Sequence, residues 1–305
     1  MRILIVGASS FLGGHLLREA GAIGHDVVTA GRSAVPASAS HHRLDLAADG
    51  PARIAEVIAA ISPEVVVNCA GATTGSPDLL AAANVTAIHA LVTAMCQSHA
   101  PARLVQIGSA AEYGRAEQGV PVAESAGPRP ASLYGVTKLA GTSLVELART
   151  AGLDAVVLRV FNVVGAGAPE GGLPGRAAVQ LRKAMAGGTD LRLGPLDGVR
   201  DFVDARDVAD AVLAAATAPV LPHPIINVGS GRGVTSRTLV EELLAVSGYA
   251  AAVHEDAPGS DRSAALLWMQ ADICRAREDL GRQPSRDLRA SVSDLWEGSC
   301  GATTG

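Results

Sequence analysis

Short apolar runs and longer stretches of helical periodicity alternate along the chain. Arg2–Val6 is a β-branched and aliphatic run of the kind that makes a strand buried on both faces. It breaks at Gly7 and gives way to a helical pattern carried by Phe11, Leu12, Leu16, Leu17 and Ala20. Further strands are predicted at residues 26–30, 42–46, 64–67, 104–107 and 155–160. Between them the spacing predicts helices over 51–61, 77–99 and 132–150, the first two opened by Pro51 and Pro77. This alternation predicts a parallel sheet with helices on both faces.

Beyond Gly165 the texture changes. Residues 165–175 are rich in glycine and proline, a helix runs to about residue 186, and short pieces fill 190–203. Helices follow at 206–218 and 235–247, with a strand at 225–228 positioned to rejoin the main sheet. A polar loop at 255–265 precedes two short helices at 272–280 and 288–296, and the residues after 298 read as a frayed tail. The expected architecture is α/β: a Rossmann-like doubly wound parallel sheet with a smaller, discontinuous C-terminal substrate domain. The dinucleotide-binding domain takes 1–162 plus about 204–230, the substrate domain 163–203 plus about 231–298, and 299–305 is a flexible tail. The smaller domain would close over the carboxyl ends of the strands, where such sheets bind ligands.

The turn after the first strand bears on chemistry. A strand, a glycine turn and a helix aim backbone N–H groups at a diphosphate, and glycines let the phosphates approach the backbone. The spacing is Gly7-x-x-Ser10-x-x-Gly13, with a small hydroxyl residue in the middle that could face a phosphate. An ordinary tight strand-to-helix turn has the same outline.

Composition narrows the class. With 305 residues, 48% hydrophobic content and a net charge of −5, the chain can bury a full core and carries no nucleic-acid or anionic-membrane footprint. Four scattered cysteines fit a reduced compartment, and the neighbouring pair His41-His42 faces opposite ways on a strand, so no metal is expected. The apolar start is too short for a signal peptide, and no apolar run reads as a membrane span. A soluble, cytoplasmic protein is expected.

The sharpest signal is Tyr134-Gly-Val-Thr-Lys138 at the start of a helix. Residues four apart share a helix face. In a chain with three tyrosines and only two lysines, such a pair is a poor candidate for coincidence. A phenol alone is a slow proton donor at neutral pH, and an ammonium beside it stabilises the anion that proton donation leaves. Ser109, just past the fifth strand, stands where a hydroxyl could hold a substrate carbonyl; a serine there is otherwise common in turns.

These residues resemble a known family. Gly7 to Gly13, Asn68-Cys69-Ala70-Gly71, Ser109-Ala-Ala-Glu-Tyr113-Gly114, Tyr134-x-x-x-Lys138, Arg159-Val-Phe161-Asn162 and Arg200-Asp201-Phe202-Val203 recur in this order in the extended short-chain dehydrogenase/reductases, the NAD-dependent epimerase/dehydratase family. The segment 193–208 is most similar to that of GDP-4-keto-6-deoxymannose reductases. The resemblance implies that Ser109, Tyr134 and Lys138 are catalytic. It also implies that Gly7, Ser10, Phe11, Leu12 and Gly13 line the cofactor diphosphate, Asp45 and Leu46 hold the adenine, and Cys69, Ala70 and Gly71 run past the ribose. Tyr134 and Lys138 would contact the cofactor too, with Lys138 on the nicotinamide ribose. Asn84 matches a family asparagine of structural character. Ala111, Asn162, Arg200 and Arg262 are the implied substrate residues, and a homodimer is the family expectation.

The cofactor type follows from the end of the second strand. An acid there would bond the ribose 2′-hydroxyl of NAD and repel a 2′-phosphate. This chain has Ala30-Gly31-Arg32-Ser33 instead, and arginine suits a phosphate. NADP(H) is therefore expected, with Arg32 and Ser33 at the 2′-position and NAD(H) as the alternative; Arg32 stacking on adenine or facing solvent is the plainer reading.

The first functional expectation is an NADPH-dependent ketoreductase of a nucleotide-linked 4-keto-6-deoxysugar. The alternatives are a nucleotide-sugar 4-epimerase with retained NAD, a ketoreductase of a non-nucleotide small molecule, and a non-catalytic cofactor-sensing protein. The third alternative is the least compatible with an intact Ser109–Tyr134–Lys138 set. The second gains from departures at Gly171-Gly172-Leu173-Pro174 and around Arg262.

Overall fold

The computed structural model describes residues 1–36, 38, 40–98, 101–258 and 267–298. Arg262, most of the polar 255–265 loop and the tail 299–305 lie outside the described residues. In chain order, the first half runs β1 (Arg2–Val6), α1 (Phe11–Ala22), β2 (Asp26–Gly31), β3 (His41–Arg43), α2 (Gly50–Ile61), β4 (Val65–Asn68), α3 (Pro77–Ala81), α4 (Ala87–Ser98), β5 (Arg103–Ser109), α5 (Leu133–Thr150) and β6 (Ala155–Val160). The second half adds β7 (Asn162–Val164), α6 (Leu173–Gly187), β8 (Leu191–Arg192), β9 (Val199–Asp204), α7 (Ala205–Thr217), β10 (Ile225–Val228), β11 (Gly233–Thr235) and α8 (Ser236–Ser247). It ends with β12 (Val253–His254), β13 (Trp268–Met269), α9 (Cys274–Leu280) and α10 (Leu288–Gly298).

A seven-stranded parallel sheet in the order β10-β6-β5-β4-β1-β2-β3 forms the frame. This is the doubly wound order with β10 rejoining as its outermost strand, as the pattern predicts. Alternation along β1 shows why the strand is apolar throughout. Ile3 and Ile5 pack with α1, α7 and α9 on one side, and Leu4 and Val6 with α2, α4 and α5 on the other. A third apolar cluster is separate from both: Val164, Leu181, Phe202, Leu239, Leu243, Val292 and Leu295 join β7, β9, α6, α8 and α10. The small sheet β11-β9-β13, with β7 beside β9, belongs to this part.

Three expectations are corrected. The third strand ends at Arg43 rather than Leu46, because Asp45 starts a turn: its carboxylate accepts the Ala47 N–H at 3.0 Å and its own N–H donates to Asp49. Leu44 and Leu46 are buried all the same, which is what made the stretch read as strand. The helix expected over 77–99 is interrupted by a π-helical segment, Ala82–Thr86, that carries Asn84. Finally, Pro77–Ser98 taken whole is long and apolar enough to cross a membrane by length and composition. In the fold Leu91 and Ala94 are fully buried in the cluster shared with α2 and α5.

Candidate active site

The β1–α1 turn is built by steric necessity. Gly7 has φ +79°, and a Cβ there would lie 2.7 Å from the Ala70 nitrogen. At Gly13 a Cβ would meet the Gly7 carbonyl at 2.3 Å, so strand and helix approach as only glycine permits. Ser10 caps α1: its hydroxyl accepts the Gly13 N–H at 3.1 Å and donates to the Cys69 carbonyl at 3.2 Å. This hydroxyl ties the turn to the residue just after β4. With the Gly13 and Gly14 N–H groups bonded to Ser10, those of Phe11 and Leu12 are left as the orphan donors of the first helical turn, and both residues line the main cleft. That arrangement fits a dinucleotide diphosphate.

The cleft has a volume of about 740 Å³ at the carboxyl ends of the strands. It brings together Ser10, Phe11, Leu12, Cys69, Ala70 and Gly71 with Ser109, Ala111, Tyr134 and Lys138, and with Asn162 and Arg200. Burial pushes the Cys69 thiol up to about 12, against the nearby Lys138 charge, so it is a neutral wall residue. Gly7 and Gly13 shape the turn behind this wall. Arg32 and Ser33 are exposed just past β2, and Asp45 and the buried Leu46 follow β3; none of these four lines the cleft itself. The β2–β3 register, with Gly31 opposite Arg43, sets them along the same strand ends.

Ser109 ends β5 and caps a single 3₁₀ turn, Ala110–Glu112. Its oxygen accepts the Ala111 N–H at 3.2 Å, while its O–H has no acceptor among the described residues and the side chain faces the cleft. Tyr134 and Lys138 stand one turn apart on α5, whose N-terminus Ser132 caps by accepting from the Gly135 N–H. Lys138 is buried and donates through Nζ to the Ile107 carbonyl at 2.6 Å, which fastens α5 to β5 two residues before Ser109.

The π segment explains Asn84. Its side chain accepts from the Ala72 N–H at 3.0 Å, donates to the Ala72 carbonyl at 2.8 Å and to Thr137 Oγ1 at 3.1 Å. It therefore ties the loop after β4 to the helix that carries Tyr134. Gly141 permits the approach, since a Cβ there would stand 2.7 Å from the Asn84 carbonyl.

Opposite elements supply the remaining walls. Asn162 on β7 donates to the Asp201 carbonyl at 3.1 Å, and Arg200 on the paired strand β9 donates to the Val199 carbonyl at 2.8 Å. Burial lowers the pKa of Arg200. Buried Asp201 holds this wall by accepting from the Ser230, Gly231 and Ala271 N–H groups. Sequence reasoning missed Arg176, which lines the cleft from the first turns of α6; the available signal was a basic residue following the helix-opening Leu173-Pro174. It also missed Glu112, whose partners come from three separate elements.

Comparisons with known proteins identify the family. Residues 3–229 match the NAD dependent epimerase/dehydratase family. A dTDP-6-deoxy-L-talose 4-dehydrogenase (NAD(P)(+)) of Kitasatospora kifunensis is 38% identical over 97% of this chain and 94% of its own. A UDP-glucose 4-epimerase of Streptomyces lividans is 34% identical over 97% and 95%. Among solved structures, RMD from Pseudomonas aeruginosa complexed with NADPH superposes with a TM-score of 0.84 at 25% identity, covering 97% of this chain and 98% of that one. The chain is thus an enzyme of the extended short-chain dehydrogenase/reductase type and belongs to the NAD-dependent epimerase/dehydratase family.

Proposed function

We propose that the protein reduces the keto group of a nucleotide-linked 4-keto-6-deoxysugar, with NADP(H) as its nicotinamide cofactor. The observation that carries this reading is the Ser109 hydroxyl, which faces the cleft with its proton uncommitted, beside Tyr134 and Lys138 on one face of α5. When bound, the reduced nicotinamide supplies the hydride that the carbonyl carbon receives. Ser109 donates a hydrogen bond to the carbonyl oxygen and orients it. Tyr134 gives that oxygen its proton, so the C=O bond becomes an alcohol and the phenol is restored from solvent. Lys138, anchored to the Ile107 carbonyl, stands one helical turn from Tyr134 on the same face of α5 and stabilises the anion that proton donation leaves. Gly7, Gly13 and the N–H groups of Phe11 and Leu12 hold the diphosphate, with Asp45, Leu46, Cys69, Ala70 and Gly71 along the rest of the dinucleotide. Arg32 and Ser33 take the 2′-phosphate, and Asn162, Ala111 and Arg200 take the substrate.

A second reading is a nucleotide-sugar 4-epimerase with retained NAD, supported by the likeness to a UDP-glucose 4-epimerase. The same three residues would then remove and return a proton at one carbon's oxygen, with no net cofactor turnover. The absence of an acid in Ala30-Gly31-Arg32-Ser33 favours the reductase. Both readings share a cytoplasmic homodimer, for which exposed Leu79, Leu133, Val136 and Leu147 on α3 and α5 supply apolar surface. They also share the division into a dinucleotide half and a substrate half, supported by the separate third apolar cluster.

The test is incubation with NADPH and a panel of nucleotide-linked 4-ketosugars and nucleotide hexoses, following cofactor oxidation and sugar product together. Stoichiometric NADPH loss with one ketosugar is the expected result. Interconversion of hexoses without NADPH loss establishes the epimerase, and silence across the panel removes the nucleotide-sugar substrate. Tyr134→Phe should cut turnover by roughly 10²- to 10⁴-fold while leaving NADPH affinity unchanged.

A further inference from the structure

The charge lining the cleft is unbalanced. Among the described residues it presents Lys138, Arg176 and Arg200 against one carboxylate, Asp197, a surplus of two positive charges in a chain whose net charge is −5. Asp197 already has a partner in Arg237, 3.3 Å away. Lys138 is committed to the catalytic end through the Ile107 carbonyl. The surplus therefore belongs to the other end of the cleft, on α6 and β9.

Arg176 is the less committed of these two arginines. Its Nε reaches the Glu170 carbonyl only at 3.5 Å, beyond ordinary hydrogen-bond length, and its two terminal nitrogens have no partner among the described residues. Its backbone, in contrast, is held firmly. Gly175 lets the loop lie against the first turn of α6, since a Cβ there would stand 2.3 Å from the Ala168 carbonyl. The cleft thus has, on a fixed stretch of backbone, a guanidinium whose terminal donors are unspent, lining the same cavity as Asn162 and Arg200. A planar fork of this kind matches phosphate oxygens in a bidentate way.

Resting on the nucleotide-sugar reading above, we propose that Arg176 binds the diphosphate of the substrate and sets the enzyme's affinity for nucleotide-linked over free sugars. The group does no chemistry; it recognises the nucleoside diphosphate that carries the sugar. The cofactor also has a diphosphate, so the experiment must separate the two sources.

The test is calorimetric binding of UDP, dTDP and GDP to the NADPH-loaded full chain, as wild type, Arg176→Ala and Arg176→Lys, with the matching nucleosides as controls. NADPH affinity is measured on each variant in parallel, and thermal melting confirms the fold. The best-bound diphosphate should lose roughly 10- to 100-fold in affinity in Arg176→Ala and recover partly in Arg176→Lys. Nucleoside and NADPH affinities should not move. Equal diphosphate binding by wild type and Arg176→Ala overturns the role of Arg176 and leaves the nucleotide-sugar reading standing. No diphosphate binding by wild type overturns both. A parallel loss of NADPH affinity assigns Arg176 to the cofactor and overturns the proposal.

Discussion

The Glu112 carboxylate and the Arg159 guanidinium form an ion pair of 2.7 Å with both side chains almost wholly buried behind the cleft. Glu112 also accepts from the Ser109 N–H at 2.8 Å and from Thr142 on α5 at 2.9 Å, and Arg159 lies over the Tyr113 ring. One carboxylate thus joins β5, α5 and β6 at the point where Ser109 meets the helix of Tyr134. Glu112→Gln keeps an oxygen for Ser109 but leaves the arginine charge buried without its counter-ion. It should cost about 3–5 kcal/mol of stability, read as a lower urea midpoint with an unchanged denaturant slope. An unchanged midpoint would show that the pair is not what holds these elements together.

Gly7 is a second place where geometry forbids substitution. Alanine there would combine a φ of +79° with a Cβ 2.7 Å from a backbone nitrogen, and the backbone cannot yield as a side chain would. Strain of about 1–3 kcal/mol should displace the turn and weaken dinucleotide binding by at least tenfold. Fluorescence titration with NADPH checks this; wild-type affinity in Gly7→Ala would mean that the turn does not face the cofactor.

The order in which residues were legible follows their sequence separation. The β1–α1 turn and the Tyr134–Lys138 pair are local, so spacing alone revealed them. The central parallel strands were legible because burial on both faces writes a continuous apolar run, as in Ile3 to Val6, whereas the edge strand β3 is polar and was legible only through the buried Leu44 and Leu46 that follow it. The strands β8, β12 and β13 have two residues each and no period to read. The π segment at Ala82–Thr86 left the apolar stripe intact and so gave no signal. Arg176 owes its place to a loop folded over a helix and Glu112 its partners on α5 and β6 to residues 30 or more positions away, which no local pattern encodes; only the Ser109-x-x-Glu112 capping box is local.

Arg32 decides between the two nicotinamide cofactors on the NADP reading. It is exposed past the end of β2 with no partner among the described residues, so its removal should not disturb the fold. Arg32→Ala should weaken NADPH about 10- to 100-fold, the worth of one charge-assisted contact, and leave NADH within twofold. Equal losses for the two cofactors would sink the assignment.

His15 links α1 to the loop after β7 and gives stability a pH dependence of its own. The ring is buried on α1 edge-on to Phe11, and its Nε2 donates to the Ala166 carbonyl at 2.9 Å, at the head of the loop that carries Ala168 and Gly172 into the cleft. Burial lowers its pKa below 6.5 and the Arg18 charge adds to this, while the bond to Ala166 and the charges of Asp294 and Asp204 oppose it. Below pH 6.5 the unfolded chain therefore binds a proton that the folded one refuses, so the stability His15 contributes is full above 6.5 and is lost as pH falls towards its depressed value. His15→Gln keeps an N–H donor without the titration. Urea unfolding at pH 7.5 and 5.5 should show wild type losing stability relative to this variant on acidification, by no more than about 1.4 kcal/mol per pH unit. Parallel losses in the two proteins would show that His15 is not the group that charges.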